Sequence, residues 1–114
     1  FPLHSTYSSS LCVYESGELV PFEIKRVYYI FNTLEGVTRG MHAHLSVKQV
    51  MLCVTGSCRI LLDDGFSKES VTLDSPTKGL LLESFVWREM SEFSSDCVLL
   101  VIISHTIGNL CFSI

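Results

Sequence analysis

The sequence has no long apolar run, little positive charge and no metal-binding spacing of its cysteines. None of its apolar stretches approaches the roughly 18 residues that a membrane-spanning helix needs, so no membrane partner is expected. Eight Lys and Arg against twelve acidic residues give a net charge of −4, which argues against a nucleic-acid partner, because phosphate binding requires a basic surface. The five cysteines form no CxxC pair and lie mostly in apolar segments, which predicts reduced, buried thiols and a cytoplasmic location.

Further absences concern the beginning of the chain and its helices. The opening residues lack the positively charged segment and apolar core of a signal peptide, and there is no initiating methionine, so we expect the sequence to begin inside a longer chain. No long segment has the hydrophobic period of an amphipathic helix, so helices should be few. A chain of 114 residues is expected to form a single domain, residues 1–114.

Short segments rich in β-branched and aromatic residues, separated by Gly, Pro, Asp and Ser, predict an all-β fold. The candidate strands are residues 22–31, 42–44, 47–54, 58–62, 70–73, 79–82, 86–90 and 97–104, with a loop at residues 32–39. The first 20 residues fit an irregular arm or one edge strand. Many short strands between turns are typical of an antiparallel sandwich or barrel, whose mouth or interior commonly holds a small ligand.

His42 and His44 are separated by a single residue, which on a strand brings both side chains to the same face. The spacing of Gly40, His42, His44, Gln49 and Gly56 is similar to the first motif of the cupin superfamily, in which two histidines and a carboxylate bind a metal together with a later histidine. Here the amide of Gln49 stands at the carboxylate position, and the later segment contains no histidine. We therefore expect no metal and no other cofactor.

Without a metal, the two imidazoles become candidates for proton transfer. The pKa of free histidine, about 6.5, allows the side chain both to accept and to donate a proton near neutral pH. The alternative is that both are ordinary polar residues closing one end of the barrel.

Several phrases of the sequence resemble the sugar-nucleotide 3,4-ketoisomerases, which act on dTDP-4-keto-6-deoxyglucose, and the resemblance extends over residues 18–104. The phrases are PFEIKRVYYI (residues 21–30), RGMHAH (39–44), QVMLCVTGSCR (49–59), LDDG (62–65), LDSP (73–76), VWREM (86–90) and FSSDCV (93–98). The resemblance implies a small cupin-type, RmlC-like jelly-roll barrel that works without a metal. It also implies a homodimer, often with N-terminal strands exchanged between subunits.

The activity implied is that of an isomerase in the synthesis of deoxyamino sugars for glycans. In this reaction the enzyme removes the C3 proton of a dTDP-linked keto sugar, an enediol forms, and a proton is returned to C4. By resemblance His44 is the leading base, and His42 is a second proton shuttle or orients the sugar. Tyr29 is implied to donate a hydrogen bond to the enediolate oxygen; as a core aromatic it is equally plausible.

The candidate substrate-binding residues carry polar or aromatic side chains. Arg39 is expected to bind the diphosphate, because guanidinium geometry suits phosphate, and Arg26 and Arg88 are weaker candidates of the same kind. Gln49 would fix a histidine tautomer or a sugar hydroxyl. Trp87 either stacks on the base or sugar or is an ordinary core aromatic.

Two segments depart from the family pattern. Residues 6–11, TYSSSL, stand where family members usually carry Asp-x-Arg-Gly-x-Leu, and residues 105–114 differ from the tyrosine- and aspartate-containing tail of the family. These departures favour, as the main alternative, a non-catalytic cupin module that binds sugar. A dTDP-sugar 3,5-epimerase is a second alternative.

Overall fold

Ten β-strands and no helix make up the residues that the computed structural model describes, which are 4–5, 9–42, 47–83 and 86–105, with only the backbone given for 4, 5, 41 and 42. The strands are β1 (His4–Ser5), β2 (Ser10–Leu11), β3 (Arg26–Phe31), β4 (Arg39–His42), β5 (Gln49–Thr55), β6 (Cys58–Asp63), β7 (Lys68–Leu73), β8 (Leu80–Leu82), β9 (Trp87–Ser91) and β10 (Val98–Ile103). This part of the chain therefore contains no helix that is long and apolar enough to cross a membrane. The predicted all-β fold is confirmed.

Two four-stranded antiparallel sheets face each other. The first has the order β3-β10-β5-β8 and the second the order β4-β9-β6-β7, while β1 and β2 form a separate pair. Within the described ranges no strand pairing joins the two large sheets, so they enclose the interior as an open barrel. The predicted antiparallel sandwich or barrel is confirmed in this form.

The core lies between the inner faces of the two sheets. Alternate residues of each strand point inward, so Met51 and Leu99 of the first sheet pack in the same cluster as Ile60 and Met90 of the second. All four are buried. Each such side chain contributes about 1.5–3 kcal/mol when it leaves water, which makes this cluster the main source of stability.

The outer face of the first sheet is partly covered by the segment that precedes β3. Val20 packs there against Val50, Leu52 and Ile102, and Phe22 lies against the same cluster. Because β5 is covered on both faces, its first five residues are all buried. Because this segment covers the sheet and is not one of its strands, β3 begins at Arg26 and not at residue 22, where the sequence predicted it.

Gly56 connects the two sheets in the turn between β5 and β6. Its φ is +69°, and a Cβ at this position would lie 2.7 Å from the Cα of Cys97 and 2.4 Å from Oγ of Ser94. Only glycine combines this backbone conformation with so close an approach. The turn that the sequence places here is therefore required by packing as well as by chain reversal.

Candidate active site

Gln49 and Arg88 form a buried polar contact inside the barrel. Gln49 begins β5 in the first sheet, and Arg88 lies in β9 of the second, so they meet across the interior. Each is 1% exposed, and Nη1 of Arg88 donates a hydrogen bond to Oε1 of Gln49. The Arg88 Nε and Nη2 atoms donate to the carbonyl oxygen of Val86, at 3.3 and 3.1 Å.

The positive charge of Arg88 has no carboxylate partner among the residues that the structure describes. Burial lowers the pKa of Arg88 to about 10, against an opposing effect of the nearby Tyr28, so the guanidinium remains charged at neutral pH. A buried cation held only by neutral oxygens loses much of its hydration energy. Such a site favours an anion, or negative charge that develops during a reaction.

Tyr28 and Arg26 extend this group from β3, which is separated from β5 by β10 in the same sheet. Both belong to the less exposed face of β3, and Cζ of Arg26 lies 5.2 Å from the centroid of the Tyr28 ring, within cation–π distance. Burial raises the pKa of Tyr28, which the charges of Arg26 and Arg88 only partly oppose. The phenol is therefore neutral at physiological pH and can donate a hydrogen bond.

Arg39 is the first residue of β4, the strand that pairs with β9. It pairs in register with Met90, and its Nε atom is buried without a hydrogen-bond partner in the described part of the chain. The next residue, Gly40, has a φ of +83°, and a Cβ there would lie 2.7 Å from Cε of Met90. Glycine thus lets β4 pack closely on β9, and this positions Arg39 beside the interior.

The two predicted catalytic histidines are only partly within the described structure. The backbone of His42 belongs to β4 and pairs in register with Arg88. His44 lies outside the described residues. Their catalytic roles stay predictions.

Two of the predicted site residues lie on outer faces of the sheets. Tyr29 is 61% exposed and alternates with the inward Tyr28, so the structure corrects the expectation that Tyr29 faces the reacting sugar. Trp87 is 37% exposed, alternates with the buried Arg88, and donates through Nε1 to Oε1 of Glu89 at 3.2 Å. The stacking role predicted for Trp87 therefore has no support from its position in this chain.

The residue that sequence reasoning missed is Tyr28. Strand periodicity contained the necessary signal, because residues 26 and 28 share a face of a strand whereas residues 26 and 29 do not. Because Arg26 is a predicted site residue, the tyrosine expected beside it is Tyr28, on the same face of the strand, and not Tyr29. The structure thus brings Arg26, Tyr28, Gln49 and Arg88 together as a polar group, which we call the inner polar cluster.

A family model described as "FdtA: WxcM-like, C-terminal" matches residues 1–109 of the chain. A TDP-4-oxo-6-deoxy-alpha-D-glucose-3,4-oxoisomerase from Aneurinibacillus thermoaerophilus is 52% identical over 95 residues, which covers 83% of this chain and 68% of that protein. These matches agree with the resemblance identified from the sequence phrases.

Solved structures of similar proteins share the fold. QdtA, a 3,4-ketoisomerase from Thermoanaerobacterium thermosaccharolyticum, solved as a histidine-to-asparagine variant in complex with TDP-4-keto-6-deoxyglucose, superposes with a TM-score of 0.90 and 37% identity, over 93% of this chain and 77% of that one. WlaRB, a TDP-quinovose 3,4-ketoisomerase from Campylobacter jejuni, superposes with a TM-score of 0.89 and 43% identity, over 92% and 81% of the two chains. The predicted cupin-type fold is confirmed by this likeness.

Proposed function

The chain belongs to the family described as FdtA: WxcM-like, C-terminal, and from this premise we propose that it is a TDP-sugar 3,4-ketoisomerase. The substrate is TDP-4-keto-6-deoxyglucose, the compound named for the similar enzymes. The reaction moves the carbonyl group from C4 to C3 of the hexose, without oxidation or reduction of the molecule as a whole. The protein is accordingly an isomerase.

The single observation that carries the proposal is the buried charge of Arg88 with no described carboxylate beside it. Isomerisation through an enediol places negative charge on the oxygens at C3 and C4. A fixed guanidinium and the neutral phenol of Tyr28 supply donors for that charge, and the burial of the guanidinium strengthens its interaction with it. Because Gln49 and Val86 hold the guanidinium in place, it need not reorganise during the reaction.

Proton transfer is assigned to the histidines of β4 and the residues that follow it. A base removes the C3 proton, the enediol forms, and the proton returned to C4 completes the exchange. His44 is the proposed base, with His42 as second shuttle or sugar-orienting group. Residue 42 is opposite Arg88 in the antiparallel register, which supports a location of this histidine strand beside the proposed oxyanion donors.

Arg39 is the proposed ligand of the diphosphate. Its buried Nε atom without a described partner supports this role, because a guanidinium nitrogen removed from water requires an acceptor, and phosphate oxygens are good acceptors. Arg26, on the inner side of β3, would contribute further positive charge to the same substrate.

The donor set favours chemistry without a metal. Gln49, at the position where cupins carry a metal-binding carboxylate, already accepts a hydrogen bond from Arg88. A divalent cation bound there would face the adjacent guanidinium charge, and it would gain only a neutral amide oxygen from this residue. We therefore propose that the reaction uses side chains alone.

A homodimer is proposed because an apolar face is left uncovered. Val27, Tyr29 and Phe31 point outward from β3, an edge strand, and each is at least half exposed. Tyr29 pairs with Leu100, which also lines an apolar groove of about 350 Å³ with Val54. A continuous exposed apolar surface of this kind marks an interaction site. We assign it to a second copy of the chain, with exchange of N-terminal strands as the resemblance implies.

A cytoplasmic location is proposed as well. Three buried cysteines, Cys53, Cys58 and Cys97, are free thiols. Reduced thiols persist in the cytoplasm and are uncommon in oxidising compartments.

The test of function is incubation of the purified protein with TDP-4-keto-6-deoxyglucose, followed by NMR of the sugar. A ketoisomerase yields a 3-keto product. Epimers without carbonyl migration would indicate the epimerase alternative, and unchanged substrate with measurable binding would indicate a non-catalytic module. Either of these outcomes refutes the proposal.

A further inference from the structure

Three buried thiols meet in the part of the core that the proposed reaction does not use. The Sγ atom of Cys53 lies 3.6 Å from that of Cys58 and 3.7 Å from that of Cys97, and all three atoms lie within 4.8 Å of one another. At roughly 3.3 Å per residue, Cys53 is about 13 Å along β5 from Gln49. We call these three residues the thiol cluster.

The spacing of the sulfur atoms is close to that of a metal site. An ion bound at roughly 2.3 Å from each sulfur, as zinc is, holds three thiolates about 3.8–4.0 Å apart, depending on its geometry. The distances from Cys53 to the other two sulfurs are only a few tenths of an ångström shorter. An ion could therefore enter with small side-chain adjustments and without a change of the fold.

The number and type of ligands indicate which class of metal ion the thiol cluster would bind. No fourth histidine, cysteine or carboxylate joins the three thiols within the described residues, whereas structural zinc normally takes four protein ligands. Soft monovalent ions such as copper(I) prefer thiolates and are satisfied with two or three of them.

The turn between β5 and β6 packs on the thiol cluster and is the candidate route of entry. Gly56 packs directly on Cys97, and Ser57 is tied to Ser94 by two hydrogen bonds, from Ser57 N to Ser94 Oγ at 2.9 Å and from Ser94 N to Ser57 O at 2.8 Å. If these two hydrogen bonds break, the turn can open and expose the sulfurs while the strands of both sheets stay paired. Local openings of loops cost less free energy than global unfolding.

We propose that Cys53, Cys58 and Cys97 form a thiolate site for a soft, low-coordinate metal ion of the copper(I) class. Each thiol that becomes a ligand releases its proton to solvent, and copper enters and leaves as copper(I), so no electron is transferred. Binding to the folded state alone would raise the thermal midpoint of unfolding.

The test is an anaerobic titration of the reduced, metal-free full chain with copper(I) in competition with a coloured copper(I) chelator. We expect one copper per chain and a higher thermal midpoint. Cys53→Ser, which removes the sulfur that contacts both others, should reduce binding to near zero while the circular dichroism of the folded protein is kept. If that variant does not fold, Cys97→Ala replaces it with the same expectation.

The control is the double variant Cys12→Ser/Cys111→Ser, which removes both cysteines outside the thiol cluster and should retain one copper per chain. Failure of the wild-type chain to take copper(I) from the chelator would overturn the proposal. Loss of binding in the control, or binding that persists in folded Cys53→Ser and Cys97→Ala, would also overturn it.

Discussion

Arg88 donates a hydrogen bond to the side-chain oxygen of Gln49, and the two residues come from different sheets of the barrel. This contact fixes a positive charge in the interior, where no described carboxylate compensates it. A stable fold gains little from such an arrangement, because desolvation of the charge opposes the hydrogen bonds. A reaction that develops negative charge gains much more, since the donor is already in place.

Removal of one member of this pair should cost more stability than removal of both. Gln49→Leu should lower the free energy of unfolding by about 3 kcal/mol, because it leaves a buried charge with one acceptor fewer. The double variant Gln49→Leu/Arg88→Met should be within about 1 kcal/mol of the wild type, since it replaces the pair by apolar groups. Denaturant unfolding measures these two variants and the single variant Arg88→Met, and strictly additive losses would contradict the account.

The two adjacent tyrosines of β3 give a matched pair for activity. Tyr28→Phe should lower kcat roughly 100-fold, because the inward phenol donates to the oxyanion of the intermediate. Tyr29→Phe should leave kcat within about twofold, since its hydroxyl is on the outer face. Steady-state kinetics with TDP-4-keto-6-deoxyglucose measures both. The reverse order of effects would restore Tyr29 to the site and remove Tyr28 from it.

Gly56 should be far less tolerant of a side chain than Gly65. Both have positive φ, +69° and +92°, so each Ala variant carries a backbone cost of about 1–2 kcal/mol. Only Gly56 adds a clash, with Ser94, Asp96 and the backbone of Cys97, while nothing lies within 4 Å of Gly65. We expect Gly56→Ala to lose about 2–5 kcal/mol in total. Equal midpoints of denaturant unfolding for the two variants would refute this packing argument.

The proposed dimer can be tested with two exposed phenylalanines. Phe31→Glu places a charge on the apolar outer face of β3 and should convert the dimer to monomer. Phe66→Glu makes the same substitution in the turn between β6 and β7, where the side chain is 98% exposed, and should leave the dimer intact. Sedimentation velocity distinguishes the two states. A dimer that survives Phe31→Glu would place the interface elsewhere, and a monomeric wild type would end the proposal.

Much of this structure follows from local patterns in the sequence. The strand predicted at residues 47–54 is observed as Gln49–Thr55, and the turn at Gly56 is in the expected place. These features depend on neighbours in the chain and on backbone sterics, which the residue types specify. The face that each strand turns inward depends instead on pairing with distant strands. In β3 that choice is set by pairing with β10, where Val101 opposes Tyr28.

Contacts between distant parts of the chain lay beyond any local pattern. Cys53 and Cys97 are separated by 44 positions and meet because β10, which Cys97 directly precedes, pairs with β5. Likewise, the amide of Gln49 was predicted to serve the sugar or a histidine, whereas in the structure it accepts a hydrogen bond from Arg88. The catalytic assignment of His42 and His44 still depends on their spacing and on the family resemblance.

The most direct test of the central claim is NMR of the reaction with TDP-4-keto-6-deoxyglucose in deuterated water, for the wild type and for His44→Asn. The wild type should give a 3-keto sugar carrying deuterium at C4, because the returning proton comes from a base that exchanges with solvent. His44→Asn should bind the substrate and give no 3-keto product. A wild type that forms no 3-keto sugar, or a His44→Asn variant that forms it at an unchanged rate, would contradict this account.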